Sequence, residues 1–471
     1  MNPSNPHFSR RRFLQGSTAL AATIGFPAIL TSRSRAAAPG AGKPLRVLQI
    51  GCGRIAESMD IPGLLRHPEL ARIVAVCDVD SIRAAKAKDR VAADYKKKLG
   101  GEAPEVIASG NYRELLERDD IDAVSISTPD HWHAQPVVEA ALAGKHIYVQ
   151  KPLTLTIAEG QVVARVVRAK KRVLQIGSQQ RSTEQFHRAC QLVRNGAIGK
   201  VLRVQIGLPT DPSGGDGKVI PVPETFDYDQ WLGWTKEVPY TKDRCHPQNG
   251  LKDRPGWLRL NQFTCGMMTG WGSHHIDIAH WGMGTELTGP IAVNATAKWP
   301  GAESFWDVHG AYDVKLQYAN GAEMHISDKH PNGIRFEGEK GWIFVSRGGF
   351  SATASDPASQ KGGKALDASD LSLLTTDLSK HDVQLQRAPK WDHHLDWLTA
   401  VQEGRDPVTN VETGHRSNSA CMVSWIGMKL GRPLKWDPAA ERFDDEEANG
   451  MVHREERGAY GAVQLAKKLK I

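Results

Sequence analysis

The stretch 45–65, LRVLQIGCGRIAESMDIPGLL, constrains this chain more than any other. Its apolar run at 47–50 reads as a buried strand, followed by a glycine-rich turn and a helical pattern. Gly51, Gly53 and Ala56 fit the spacing G-x-G-x-x-A. The first glycine permits the tight turn, the second lets the backbone approach a pyrophosphate, and the small third residue lets the helix pack on the sheet. Arg54 and Ile55 lie inside the same turn and join the candidate cofactor contacts. A second apolar run, ARIVAVCDVD, reaches Asp78, 22 residues beyond Ala56. An acid at that strand end accepts from ribose hydroxyls, which favours NAD; Arg83 close by keeps NADP open.

The alternation then continues. Runs at 123–126, 147–149 and 173–176 read as strands, and 134–143 and 157–169 as helices. Repeated strand and helix imply a parallel, doubly wound sheet, whose ligands sit beyond the carboxyl ends of its strands. The segments expected there are GCGRIA, CDVD, STPDHWH, QKP and GSQQRS. They supply Ser127, Thr128, Pro129, His133, Gln150 and Lys151 as further cofactor candidates, and Arg181 as a substrate candidate. Lys151 is the candidate catalytic cation.

The second half changes character. The segments AVNATAKWP, YDVKLQYANGAEMHISD and GIRFEGEKGWIFVSRGG alternate apolar and polar residues around tight turns, the pattern of an antiparallel sheet. Before them, an insertion at 208–260 is rich in Gly, Pro, Trp, Tyr, Asp and Arg, residues that suit a sugar's apolar face and its hydroxyls. Trp257 is its substrate candidate. A helix opening near Gly272 puts His274, Asp277, Ile278 and Trp281 on one face, with His275 on the next. His274 is the second catalytic candidate; Asp277, one turn on, is a possible orienter and, with His275, a substrate contact. Adjacent histidines point about 100° apart on a helix, and no i,i+4 histidine pair exists there, so no metal site is expected. The six cysteines form no C-x-x-C pair. The domain reading is 44–182 for nucleotide binding, 183–435 for substrate and assembly, and 436–471 as a wrapping tail.

Charge adds a leader and removes a partner class. Residues 1–38 hold five arginines, among them Arg10, Arg11 and Arg12, and no acid; all 53 acidic residues lie beyond. The segment SRRRFLQ, a weakly apolar run and a small-residue site near 36–38 read as a twin-arginine export signal, which implies a periplasmic or otherwise exported protein. The remainder is nearly neutral, so nucleic-acid binding is not expected, and no later stretch is apolar enough to span a membrane.

Taken in order, IGCGRIA, STPDHWH, QKPLT, GSQQRS, TGWGSHHIDIAHWGMG and GHRSNSACMVSWIGMKLGRPLKWDP resemble the Gfo/Idh/MocA oxidoreductases, in particular exported bacterial members, over nearly the whole mature chain. The resemblance implies a Rossmann domain followed by an α/β domain with a large, open, mostly antiparallel sheet. It also implies a homo-oligomer, dimer or tetramer, and hydride exchange between NAD(P) and a sugar, glycoside or cyclitol. It matches the family's catalytic lysine to Lys151 and its catalytic histidine to His274. Two positions depart: the glutamate before the lysine is Gln150, and the aspartate four residues before the histidine is Gly270. An amide in place of a carboxylate leaves Lys151 held by hydrogen bonding alone. Two alternatives follow: an NAD-dependent glycosidase acting by transient oxidation and elimination, and a sugar-binding protein that has lost catalysis.

Overall fold

The computed structural model describes residues 43–245, 254–349, 364–378 and 383–471. The leader expected at 1–38 lies outside the described residues. The first sheet contains β1 (Leu45–Ile50), β2 (Ala71–Cys77), β3 (Ile107–Ser109), β4 (Ala123–Ile126), β5 (His146–Val149) and β6 (Leu174–Ile176). Their order is β3-β2-β1-β4-β5-β6, and every pairing is parallel. Both faces are covered, so strands such as Ala123–Ile126 are buried throughout. The order reverses between β1 and β4, which opens a crevice at their carboxyl ends.

The second sheet has nine strands: β7 (Val201–Gly207), β8 (Pro290–Ala297), β9 (Tyr312–Tyr318), β10 (Glu323–Ser327), β11 (Gly333–Gly338), β12 (Gly341–Val345), β13 (Leu366–Ala368), β14 (Leu434–Asp437) and β15 (Arg442–Phe443). Only β7 and β10 pair in parallel; the other neighbours run antiparallel. One face is apolar. In β9, Tyr312, Val314, Leu316 and Tyr318 are buried while the residues between them are not. Helices Glu184–Arg194, Gly272–Met283 and Val411–Leu430 pack on that face around one core. Strand β14 crosses the boundary expected at 436, so the start of the presumed tail is a sheet edge, paired with β8.

Two late segments return to the first domain. Helix His393–Glu403 inserts Trp397 and Leu398 among the core residues of β1 and β2. Helix Ala462–Leu469 packs against helices Ala134–Leu142 and Ile157–Ala169. Asn418, on the long helix, donates to the Thr154 carbonyl at 3.1 Å and to its hydroxyl at 3.0 Å. The loop carrying Lys151 is therefore gripped by both domains. Among the described residues no helix is long and apolar enough to cross a membrane, and all six cysteines are free and buried.

Candidate active site

A cleft of about 680 Å³ runs along the carboxyl edge of the first sheet and is closed on its far side by the second domain. At one end the glycine-rich turn touches the loop after β4. Gly51 has φ +82°, and a Cβ there would stand 2.8 Å from the Ser127 carbonyl, so no other residue fits without moving backbone. The Cys52 N–H donates to Asp78 at 2.7 Å, and the Asp80 N–H donates to its other oxygen at 2.9 Å. Burial raises the Asp78 pKa, while the Arg83 charge pulls it down. Gly51, Gly53, Arg54, Ile55, Asp78, Ser127, Thr128 and Pro129, named above as cofactor candidates, all line the cleft. A tight turn, an acid at the end of β2 and a cradle with no room for a Cβ fit a dinucleotide.

His133 lines the cleft as well, but its ring is committed to the protein. Its nitrogens face the Pro152 carbonyl at 2.5 Å and the Thr128 carbonyl at 3.0 Å. Burial pushes its pKa down to about 4. It ties the loop after β4 to the loop after β5.

The Lys151 ammonium donates to the Gly270 carbonyl at 2.9 Å. Gln150 does not hold the lysine through its side chain, contrary to expectation. Its amide donates to both oxygens of Asp60, at 2.8 and 3.0 Å. Asp60 is fully buried and also accepts from the Ser127 hydroxyl at 2.6 Å, with His394 Nε2 at 3.1 Å. His394 stacks on Tyr148, 4.7 Å between centroids. It reaches Asp60 only because residue 63 is glycine: a Cβ there would stand 2.3 Å from the ring. The carboxylate lies on the first helix and the amide beside the lysine. A carboxylate at 150 would face Asp60, two like charges in a buried site.

His274 lines the cleft opposite Lys151's loop, and its Nδ1 is buried with no protein partner among the described residues. Burial lowers its pKa well below the ordinary value, and the charges of Arg347 and Lys151 lower it further. The ring is therefore neutral and a weak base, available to hydrogen-bond a ligand. Arg347 lies over the Trp271 ring at 4.6 Å.

Three of the four substrate candidates are not on the cleft wall. Arg181 donates to Asp277 through two nitrogens, at 2.7 and 2.9 Å, and to Glu286 at 2.8 Å. Asp277 also accepts from Ser417 at 2.9 Å. It therefore holds the arginine and does not orient His274. Burial disfavours the Arg181 charge, but Asp277 and Glu286 overcome this and raise its pKa. His275 is buried between Asn332, at 2.8 Å, and the Gln180 amide, at 3.3 Å. Of the four only Trp257 lines the cleft.

Structure adds residues that sequence reasoning passed over. Asp130 lies in the quoted STPDHWH segment and lines the cleft. Asp60 shares its helical stretch with a second acid, Glu57, and nothing in the spacing singled it out. Trp391 also lines the cleft, from a turn in which Lys390 and Trp391 both have positive φ, 52° and 58°. Such strain in consecutive non-glycine residues is held by the surroundings and collects at functional sites. The insertion clamps the Asp130 loop: the Trp231 carbonyl accepts from Trp132 at 2.9 Å, and Trp234 donates to the His131 carbonyl at 2.5 Å.

Comparison with known proteins agrees with this geometry. The profile of an oxidoreductase family with an NAD-binding Rossmann fold matches residues 45–178, and that of its C-terminal alpha/beta domain matches 184–359 and 371–462. The chain belongs to the Gfo/Idh/MocA oxidoreductase family. Its cofactor is accordingly NAD, for which the cradle around Gly51 and the acid Asp78 are suited. A glycosyl hydrolase family 109 protein of Shewanella sp. strain ANA-3 is 36% identical over 165 residues, 32% of this chain and 35% of the relative. The chain thus matches about a third of that relative's length. An uncharacterized oxidoreductase, YrbE of Bacillus subtilis, is 26% identical over 308 residues, 65% of this chain and 73% of that one. Among solved structures, an aldose-aldose oxidoreductase of Caulobacter crescentus superposes with a TM-score of 0.57 at 20% identity, covering 83% of this chain and 99% of that one. At that identity the likeness speaks for the fold.

Proposed function

We propose that this family member oxidises or reduces a carbinol carbon of a sugar, glycoside or cyclitol. The observation that carries the reading is a single cleft joining a dinucleotide cradle to a lysine and a buried imidazole with an unsatisfied nitrogen. The aldose-aldose oxidoreductase of the same fold supports a sugar as the substrate class. NAD, when bound, supplies the hydride acceptor or donor. Lys151 polarises the reacting oxygen. His274, neutral in its positive field, orients a substrate hydroxyl by hydrogen bonding. Trp257, Trp271 and Trp391 provide aromatic faces for the sugar ring. Incubating the purified chain with NAD and a sugar panel tests this: NADH absorbance at 340 nm should rise with at least one sugar. A protein that binds NAD and oxidises none contradicts it.

A second reading is favoured by the Shewanella relative, whose name places it among glycosyl hydrolases. In it the same oxidation is transient, the aglycone is eliminated, and the product is reduced after water adds. Release of 4-nitrophenol from aryl glycosides without net NADH separates it from dehydrogenation. Export through the twin-arginine route belongs to the proposal as well, supported by Arg10–Arg12 and the acid-free stretch around them. Such export carries folded protein, so a cofactor loaded in the cytoplasm travels with it. The open face of the nine-stranded sheet supports a homo-oligomer; light scattering of the purified chain reads its size.

A further inference from the structure

We propose that Asp130 is the proton-accepting carboxylate of this active site, working beside Lys151. The inference rests on the oxidoreductase reading above. Strands β4 and β5 are parallel neighbours with Ile126 opposite Val149, so the loops carrying Asp130 and Lys151 leave the sheet side by side. The contact of His133 with the Pro152 carbonyl holds the two loops together. Each loop then reaches the same short segment of the second domain. Asp130 accepts from the Thr264 hydroxyl at 2.8 Å, and Lys151 donates to the Gly270 carbonyl at 2.9 Å. That segment is closed on itself by the Gly270 N–H to the Gly266 carbonyl at 2.8 Å and the Cys265 N–H to the Thr269 hydroxyl at 3.3 Å. The acid and the amine are therefore pinned to one turn on one wall of one cleft.

The other groups at hand are worse proton acceptors. Asp78 is held by two backbone N–H groups, and Asp392 by Arg66 and His67. The field of Arg347 and Lys151 opposes a proton on His274. Gly270 offers no side chain. Asp130 is 4% exposed, with one oxygen fixed by Thr264. Burial pushes its pKa up to about 6 against the pull of Lys151 and Arg254, the charged groups that face it from the loop after β5 and from the insertion. A carboxyl in that range exchanges protons near neutral pH. In the oxidation the hydroxyl proton passes to the Asp130 carboxylate while the same carbon loses its hydride to the nicotinamide. The carbinol becomes a carbonyl, NAD⁺ becomes NADH, and the Asp130 carboxylic acid returns its proton to water.

The test uses the full chain with NAD. Asp130→Asn should lower kcat by about 10²–10⁴-fold and remove the limb near pH 6 from the kcat/KM profile, with NAD binding by fluorescence titration nearly unchanged. Supplying the carboxylate from that turn itself, in Asp130→Asn/Gly270→Asp, should restore at least about tenfold of that loss; a Cβ at 270 meets only the Met267 sulfur, at 3.9 Å. A loss under about threefold, or a limb that survives in the asparagine variant, overturns the assignment. Melting temperature gives a readout without turnover. The folded pKa of Asp130 lies above the unfolded 3.8, so its ionisation costs stability progressively as pH rises from there to about 6. Asp130→Asn should therefore gain on the wild type between pH 5 and pH 8. A difference independent of pH, in a wild type that does turn over sugar, overturns this role alone. A wild type that binds NAD and oxidises no sugar overturns the functional reading and this role with it.

Discussion

His274 and Asp277 stand one turn apart on one helix, yet they serve opposite ends. The imidazole faces a cleft with a nitrogen that no group among the described residues satisfies, while the carboxylate is consumed by Arg181 and Ser417. The same contrast separates Arg181 from Lys151. The arginine's donors are committed to Asp277, Glu286 and the Val408 carbonyl, deep between elements; the lysine lines the cleft and donates to the Gly270 carbonyl on its wall. Buried charge that is fully matched holds a fold together. Buried charge beside open volume is available for chemistry.

Four changes sharpen or break that contrast. Asp277→Ala leaves Arg181 charged and underpaired in the interior and should cost about 3–5 kcal/mol in denaturant unfolding, with activity lost only as the fold is lost. If it instead abolishes turnover in a protein of normal stability, the node belongs to the active site. Lys151→Ala should do the reverse, lowering kcat by about 10²–10³-fold while the unfolding midpoint holds. Gln150→Glu sets a second carboxylate against Asp60 and should cost about 1–3 kcal/mol. One of the two acids then has a folded pKa raised above its unfolded value, so the cost grows as pH rises past about 4 and is greatest in alkali. Asp60→Asn/Gln150→Glu, which exchanges the acid and the amide, should recover most of it. A single variant as stable at pH 8 as at pH 5 would show that the pair does not matter. The smallest effect concerns Asp392. Burial opposes its charge, but His67, the Leu395 N–H and Arg66 bring its pKa down to about 2. Its stabilisation is present above the unfolded value near 3.8 and is lost as pH falls towards 2. After solvent screening it amounts to about 1 kcal/mol, which Asp392→Asn should remove from the acid limb of the stability curve.

Much of the molecule was legible in the chain. The strand, glycine turn and helix at 45–65, and the alternation after them, specify a parallel sheet because period and turn chemistry are local properties. Lys151 was legible because it follows a buried strand end, where such sheets bind ligands. The substrate residues were less so. A helical wheel places His274 and Asp277 on one face but does not say what stands opposite each, and Arg181 and Ser417 arrive from 96 and 140 residues away. Asp60 and Gln150, 90 positions apart, gave no sign of partnership. Asp130 was visible only as one polar residue in a loop.

By itself, then, the sequence determined the two-domain architecture, the dinucleotide cradle and the edge of the sheet along which the cleft runs, since each follows from spacing within one segment. Tertiary structure alone decided which charges are spent on the fold and which remain for a substrate. That division depends on what burial brings within 3 Å of each charged group, and partners at that range come from distant parts of the chain.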